Sequence, residues 1–420
     1  MRKRLSLWET PREISRPGIM PVVKRYLSFR AAKTAGICAN GRSSLILSLR
    51  TWPQPRGSSK MKILVIHATA GAGHKKAAEA VFNGLKNKGG YDVRLVDALE
   101  YTNPFFKKAY PASYGFLVTR LPQVWGVLFA WMDLPWMQGV VRLARRWYNG
   151  FNARALQEFL KKEQFDCIIT TQFLSAEVCA YLKRKKLIKS KVICVVTDFD
   201  VHRIWVNKGI DIYTAASEYT RNKLIALGVP DSKVFITGIP TDAKFALQPD
   251  VQALKEKLGL VKEGLTILIA TGSFGMGPIE QLIALLGEYQ LLIVCGQNQV
   301  LYDRLKRLSN KNVHVLGLVH NMDELMAVAD VMVTKPGGLS ISEALVKKLP
   351  MIFFSAIPGQ EANNIKVLKA CGASGDQSSL PEIIATIRDW SANPQEFNAL
   401  RQRLSALSKP NAVADIIALI

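Results

Sequence analysis

Cysteine is scarce in this 420-residue chain. Its six residues, Cys38, Cys167, Cys179, Cys194, Cys295 and Cys371, are scattered, with no C-x-x-C pair. That spacing excludes a disulfide framework and a zinc ribbon and points to a reducing compartment. The five histidines contain no H-x-x-x-H pair, so metal has little support. Acid is also short: 33 Asp and Glu face 56 Lys and Arg, a formal net charge of +23. Such a surplus implies an anionic partner, whether nucleic acid, acidic lipid headgroups or a phosphorylated substrate. No apolar run is clean enough to span a membrane. The nearest, Leu121–Val141, is interrupted by Pro122, Asp133 and Pro135. Nor does an apolar segment of the secretory kind follow the charged start.

What is present is enough for two globular domains, with 49% hydrophobic residues. Residues 1–60 stand apart. They hold 13 Lys and Arg against Glu9 and Glu13 and show no sustained period. Three readings compete for them: a start codon placed too far upstream, an organellar transit peptide, or a disordered basic arm. On each, folding begins near Met61, where M-K-I-L-V-I-H opens a buried strand.

From there short apolar runs alternate with helical patterns. Ile63–Ile66, Val93–Val96, Cys167–Thr170 and Val192–Val196 predict strands of a buried parallel sheet, with Gly209–Ala216 and Val234–Thr237 as two more. Helices are predicted at His74–Lys86 and Ala153–Lys162. A second series runs through Leu265–Ala270, Leu291–Cys295, Val313–Leu316, Val331–Thr334 and Met351–Phe354, with helices at Ile279–Leu286, Asp323–Ala329 and Ser340–Lys347. Each half opens as strand, glycine loop, helix. This is the α/β doubly wound pattern occurring twice, predicting an N-terminal lobe over 61–245 and a C-terminal lobe over 246–420 that face each other across a cleft. A dinucleotide-binding oxidoreductase is the competing reading. Lys76 occupies its third glycine position, which argues against it; Asp97, ending a strand where a ribose acid would sit, argues for it.

The segment T-K-P-G-G-L-S-I-S-E-A-L at Thr334–Leu345 ends a strand and starts a helix. Gly337 and Gly338 admit close approach of a ligand, and the helix start suits a diphosphate. Glu343 is placed to accept hydrogen bonds from a ribose diol, or else to form a capping box with Ser340. Downstream, P-G-Q-E-A-N-N at Pro358–Asn364 puts Gln360, Glu361 and Asn364 near the same strand ends.

These two segments, with A-G-A-G-H-K-K-A-A-E-A at Ala70–Ala80 and V-V-T-D-F-D-V-H-R-I-W at Val195–Trp205, resemble glycosyltransferase family 28. Within it the likeness is to monogalactosyldiacylglycerol synthases and bacterial processive diacylglycerol glucosyltransferases, over roughly residues 61–400. The resemblance implies a GT-B fold and an inverting transfer of glucose or galactose from a UDP-sugar to diacylglycerol, with no cofactor and no metal. It implies that the C-terminal lobe holds UDP: Glu343 on the ribose, Gly337, Gly338, Leu339 and Ser340 with Gly272 and Ser273 on the phosphates, Gln360 and Glu361 on the hexose, and Asn364 nearby. A C-terminal helix within 392–420 would cross back to the first lobe. The same nucleotide lobe would also permit N-acetylglucosamine transfer to a polyprenyl-linked precursor, a UDP-sugar epimerase, or a sensor without turnover.

His74, after the glycine turn at Gly73, is the expected general base, since an imidazole titrating near 6.5 suits proton removal at neutral pH. Asp198–Phe199–Asp200 is a D-x-D, a metal signature of a different fold. Asp198 and His202 are read instead as acceptor-pocket or structural residues, with Gly73 in the same acceptor pocket. The aromatic and basic stretch from Pro104 to Arg154 predicts an interfacial membrane contact through Trp125, Trp131, Trp136, Arg142, Arg145 and Arg146, with anionic lipids rather than nucleic acid as the partner. The expected location is peripheral, on the cytoplasmic face of the membrane.

Overall fold

The computed structural model describes residues 60–69, 71–137, 139–141, 143, 151–270, 272, 277–308, 310–354, 356–373 and 379–420. Ser273, Arg142, Arg145, Arg146 and almost all of residues 1–60 lie outside the described residues.

The first lobe contains β1 (Met61–His67), α1 (Ala72–Lys88), β2 (Tyr91–Asp97), α2 (Pro104–Arg120), α3 (Pro122–Met132), α4 (Arg154–Glu163), β3 (Cys167–Thr170), α5 (Phe173–Arg184), β4 (Lys191–Val195), β5 (Ile212–Ala215), α6 (Glu218–Ala226) and β6 (Val234–Ile236). Its six strands lie in the order β2-β1-β3-β4-β5-β6, every pair parallel. The second contains α7 (Val251–Lys257), β7 (Thr266–Ala270), α8 (Ile279–Leu286), β8 (Gln290–Val294), α9 (Gln299–Lys306), β9 (Val313–Leu316), α10 (Met322–Val328) and β10 (Val331–Thr334). It continues through α11 (Gly338–Val346), β11 (Met351–Phe353), α12 (Gln360–Ala370), α13 (Leu380–Ala392) and α14 (Pro394–Leu407). Five parallel strands run β11-β10-β7-β8-β9. The predicted pair of Rossmann-like lobes is therefore present.

The strands are apolar on both faces because helices cover both. β3, β7, β8 and β10 are buried along their whole length, as parallel sheets require. Cys167, Cys194 and Cys295 are buried free thiols in this core, as small hydrophobes are.

The chain does not stay in its second lobe. A last helix, α15 (Ala412–Ala418), packs against α1. Ile416 and Ile417 join Ile63, Val65, Ile193 and Val195 in one buried cluster. Lys191 Nζ donates to the carbonyls of Leu419 and Ile420 at 2.6 and 3.2 Å. Burying each isoleucine contributes about 1.5–3 kcal/mol. A lobe boundary drawn at 245/246 thus misplaces α15, whose apolar face completes the first core.

In each sheet the order reverses once: between β1 and β3 in the first lobe, between β7 and β10 in the second. Ligands of such sheets bind in the crevice outside the carboxyl ends at these switch points. The site is built from the loops that leave those four strands, joined by the loops after β4 and β11.

Candidate active site

α1 starts one glycine turn after β1, and His74 is its third residue. Its Nδ1 lies 2.9 Å from the carbonyl oxygen of Thr171, just past β3, and 2.9 Å from Thr197 Oγ1. A carbonyl can only accept, so Nδ1 carries the proton and donates. Nε2 then holds a free lone pair. Thr171 Oγ1 returns a bond to the His74 carbonyl at 2.9 Å, and the ring lies 6.0 Å from Trp205. Burial pushes the His74 pKa down to about 4. That revises the expected titration near 6.5: the ring is neutral at physiological pH and hard to protonate.

Across the cleft, α11 begins at Gly338, two residues earlier than predicted, and its N-cap Gly337 has no side-chain cap. The capping box between Ser340 and Glu343 is therefore absent, because Ser340 is already the third residue of the helix. The first N–H groups of α11 have no intrahelical acceptor and point out of its end. Gly338 has a physical reason to be glycine. A Cβ there would sit 2.1 Å from the Thr197 carbonyl oxygen, while one at Gly73 would lie 3.7 Å from Leu339 Cβ. Thr197 thus touches both helix starts, meeting His74 through its hydroxyl and Gly338 through its carbonyl. Leu339 itself is buried in the core, and only its backbone is available to a ligand.

Glu343, one turn on, is 6% exposed. Burial raises its pKa to about 7, opposed by the charges of Lys76 and Lys244. Its carboxylate makes no hydrogen bond or ion pair among the described residues. Gly272, at the end of β7, has φ +69 and would bring a Cβ to 3.8 Å from Lys335 Cδ. Ser273, predicted beside it, lies outside the described residues.

The start of α12 is tied to the first lobe. Gln360 Nε2 donates to Asp198 Oδ1 at 2.6 Å, and Trp205 Nε1 donates to Asp198 Oδ2 at 3.1 Å. Burial raises the Asp198 pKa, opposed by those two bonds. Asp200 pairs with Lys223 at 2.5 Å. The two carboxylates of the D-x-D go to separate partners. Glu361 accepts from Ile357 N at 2.8 Å, and its pKa is also raised by burial.

Asn364 differs from its expected place among sugar-binding groups. It is 1% exposed. Its Oδ1 accepts from Phe199 N and Asp200 N at 3.0 and 3.2 Å, and its Nδ2 donates to Pro336 O at 3.0 Å. The amide staples the lobes together, and its burial keeps it from a hexose. His202 is likewise occupied: Nε2 lies 2.9 Å from Phe129 O, and Nδ1 accepts from Ile204 N at 3.1 Å. It anchors α3 and lines a cleft of about 480 Å³ with Phe129, Asp133, Asp200, Lys223, Pro358 and Lys366. Asp97, the acid that kept the oxidoreductase reading alive, accepts from Leu99 N and Thr69 N at 3.0 and 3.3 Å. It caps local turns.

α3 presents two apolar faces. Val124, Val127, Leu128 and Trp131, at spacing i, i+3, i+4, i+7, are exposed, Val127 by 70%. Trp136 beyond the helix is 72% exposed. Trp125 departs from the predicted membrane set. With Phe129 at i+4 it turns inward, packing edge-on to Tyr114 at 5.4 Å and leaving its Nε1 buried without a partner among the described residues. Phe129 packs on Gly359, whose φ of +90 and whose hypothetical Cβ, 2.7 Å from the ring, both demand glycine. No helix among the described residues is long and apolar enough to cross a membrane.

Lys335 and Thr197 were missed in the sequence reading. The available signal was position: Lys335 is the first residue after β10, at the carboxyl end of a switch-point strand, where a charged residue is expensive unless it is used.

Comparison with known proteins agrees with this geometry. Residues 74–241 match the family described as monogalactosyldiacylglycerol (MGDG) synthase, and residues 266–415 match the glycosyltransferase family 28 C-terminal domain. The chain is 27% identical over 363 residues to the processive diacylglycerol beta-glucosyltransferase of Bacillus cereus (strain G9842), covering 85% of this chain and 92% of that one. The enzyme of the same name from Bacillus cytotoxicus is matched to the same extent. Among solved structures, MurG of Acinetobacter baumannii aligns with a TM-score of 0.56 at 16% identity, over 86% of this chain and 99% of that one. HepE of Anabaena, solved in complex with UDP, aligns at 0.51 and 14%, over 86% and 99%. Both likenesses concern the fold, which is GT-B. The two matched segments divide the lobes between them: the first lobe is similar to the monogalactosyldiacylglycerol synthase family and the second to the C-terminal domain of glycosyltransferase family 28.

Proposed function

We propose that this enzyme transfers a hexose from a UDP-sugar to the free hydroxyl of diacylglycerol, with inversion, as a peripheral protein on the cytoplasmic face of a membrane. The observation that carries the donor half is Glu343: a buried carboxylate without a partner among the described residues, one turn inside an uncapped helix start. A ribose diol supplies the donors it lacks, and the helix end suits the diphosphate beside it. The names of the relatives support diacylglycerol as acceptor, and the exposed apolar face of α3 supports a lipid surface.

In the proposed reaction Gly337, Gly338, the backbone of Leu339, Ser340 and Gly272 surround the diphosphate, and Gln360 and Glu361 lie toward the hexose. The acceptor hydroxyl gives its proton to His74 Nε2 as its oxygen attacks the anomeric carbon. The bond to UDP breaks on the opposite face, and its electron pair leaves on the phosphate oxygen. Thr171 and Thr197 hold the imidazole in the tautomer this needs. No metal is required in this scheme, since the helix end meets the developing charge.

The test is transfer of label from UDP-glucose or UDP-galactose to diacylglycerol in anionic vesicles, with EDTA present throughout. Label in a chloroform-soluble product, and the better donor of the two, would establish acceptor and sugar. UDP-sugar binding without lipid label would overturn the acceptor and turn attention to polyprenyl acceptors or epimerisation. Label that appears only on adding a divalent cation would overturn the metal-free scheme.

A further inference from the structure

Thr197, two residues beyond β4, is 5% exposed and serves the two lobes with different atoms. Its Oγ1 lies 2.9 Å from His74 Nδ1, which also donates to the Thr171 carbonyl at 2.9 Å. Two acceptors fix the plane of the imidazole, where one would let the ring turn about a single bond. The Thr197 carbonyl accepts from no N–H among the described residues. What meets it is Gly338, at the start of α11. A side chain there would collide with this oxygen, so the hydrogen in its place is aimed at the carbonyl. A buried carbonyl without an N–H partner is costly, and α11 supplies the contact that replaces one. The same two segments meet again beside it. Asn364 accepts from Phe199 N and Asp200 N and donates to Pro336 O. Asp198 accepts from Gln360 of the second lobe and from Trp205, whose ring lies 6.0 Å from His74. Residues 197–200 therefore touch the base on one side and the starts of α11 and α12 on the other.

We infer that Thr197 is a positioning residue that makes the aim of the His74 base depend on the seating of the donor helix α11. This rests on the donor and base roles proposed above and adds to them the means by which occupancy of one lobe is felt in the other. With α11 seated, its glycine holds the Thr197 carbonyl, the Thr197 hydroxyl holds Nδ1, and Nε2 faces the acceptor hydroxyl whose proton it takes. With α11 withdrawn, the carbonyl turns toward water and the hydroxyl goes with it, because both belong to one residue outside the strand. Thr197 exchanges no proton and touches no substrate. A misplacement of about 1 Å in a reacting group can cost about 100-fold in rate, so a contact that is weak in energy is strong in effect. The device also leaves an open, wet cleft without an aimed base.

The experiment uses the full chain carrying isotope-labelled histidine for NMR, with the His74 signals identified by their loss in His74→Gln. Wild type, Thr197→Val and Thr197→Ser are compared for ring nitrogen shifts with and without UDP, UDP affinity, turnover on diacylglycerol vesicles and melting temperature. UDP is expected to move the His74 signals of wild type and Thr197→Ser and to leave those of Thr197→Val in place. Thr197→Val should lose roughly 10- to 100-fold in kcat with UDP affinity within about twofold of wild type, and Thr197→Ser should restore most of the rate. Wild-type His74 signals that stay in place when UDP binds overturn the inference and leave the donor reading standing. A Thr197→Val variant whose His74 still responds to UDP, or that turns over normally, overturns it too. Equal loss of UDP affinity and rate, or a large fall in melting temperature without rescue by serine, overturns it in favour of a structural role. Wild type that binds no UDP overturns the donor reading and the inference together. If wild type binds UDP but labels no lipid, the acceptor falls and the histidine signals still decide.

Discussion

His74 and Glu343 carry opposite pKa shifts, and each has a distinct pH signature. Burial holds His74 at about 4, below its unfolded value of about 6.5. The acid limb of kcat/KM should therefore fall toward pH 4, not near 6.5. The unfolded chain takes up this proton first, so His74 also costs stability as pH drops below 6.5. His74→Ala should abolish turnover and leave UDP affinity nearly intact; equal loss of both would remove it as the base. Glu343 is raised to about 7, above its unfolded value of about 4.3. Its folded-state preference for the proton stabilises the protein fully below that unfolded value, and the gain is lost as pH rises through 7. Ribose hydroxyls favour the ionised carboxylate, so UDP binding at pH 6 should release a proton. Calorimetry in two buffers of different ionisation heat reads that proton directly, and Glu343→Gln should abolish it. A wild type that releases none would separate Glu343 from the ribose.

At the scale of elements, α3 ties the lipid-facing surface to the donor loop. Its outer stripe, Val124, Val127, Leu128 and Trp131, touches solvent, while Phe129 on the other side packs on Gly359 at the start of α12. Its C-terminal end is held by Asp133, whose Oδ1 accepts from Arg203 N at 3.0 Å. Replacing Val127 and Trp131 together by glutamate should sharply reduce binding to anionic vesicles in a flotation assay, with UDP affinity unchanged. Retained flotation would assign lipid contact to another surface. The strands were legible because parallel strands buried on both faces are short apolar runs and little else is. The start of α11 was misread because serine with a glutamate three residues on looks like a box, and only the extended backbone of Gly337 shows where the helix begins. The inward face of α3 was hidden for a related reason. When both faces of a helix are apolar, periodicity cannot tell core from membrane.

For the whole molecule, the contacts between lobes were the least legible part. Asn364 stands in an N-N pair with nothing to distinguish it from Asn363, and two of its partners, Phe199 N and Asp200 N, lie more than a hundred residues away. The same holds for Gln360 with Asp198. Asn364→Ala would leave Phe199 N, Asp200 N and Pro336 O unpaired in a buried seam, destabilising the protein by roughly 2–4 kcal/mol. A thermal melt should shift down and broaden, or split in two as the lobes uncouple. A single unshifted transition would mean the seam is held elsewhere.

The return of α15 to the first lobe has a consequence for synthesis. Domains ordinarily fold in turn as they emerge from the ribosome. Here the lobe made first lacks Ile416 and Ile417 until the whole second lobe has been translated. Until then the apolar patch they cover on β1, β4 and α1 is open, and it is a ready binding site for a chaperone. The last helix closes the first lobe, and with it the passage between the two.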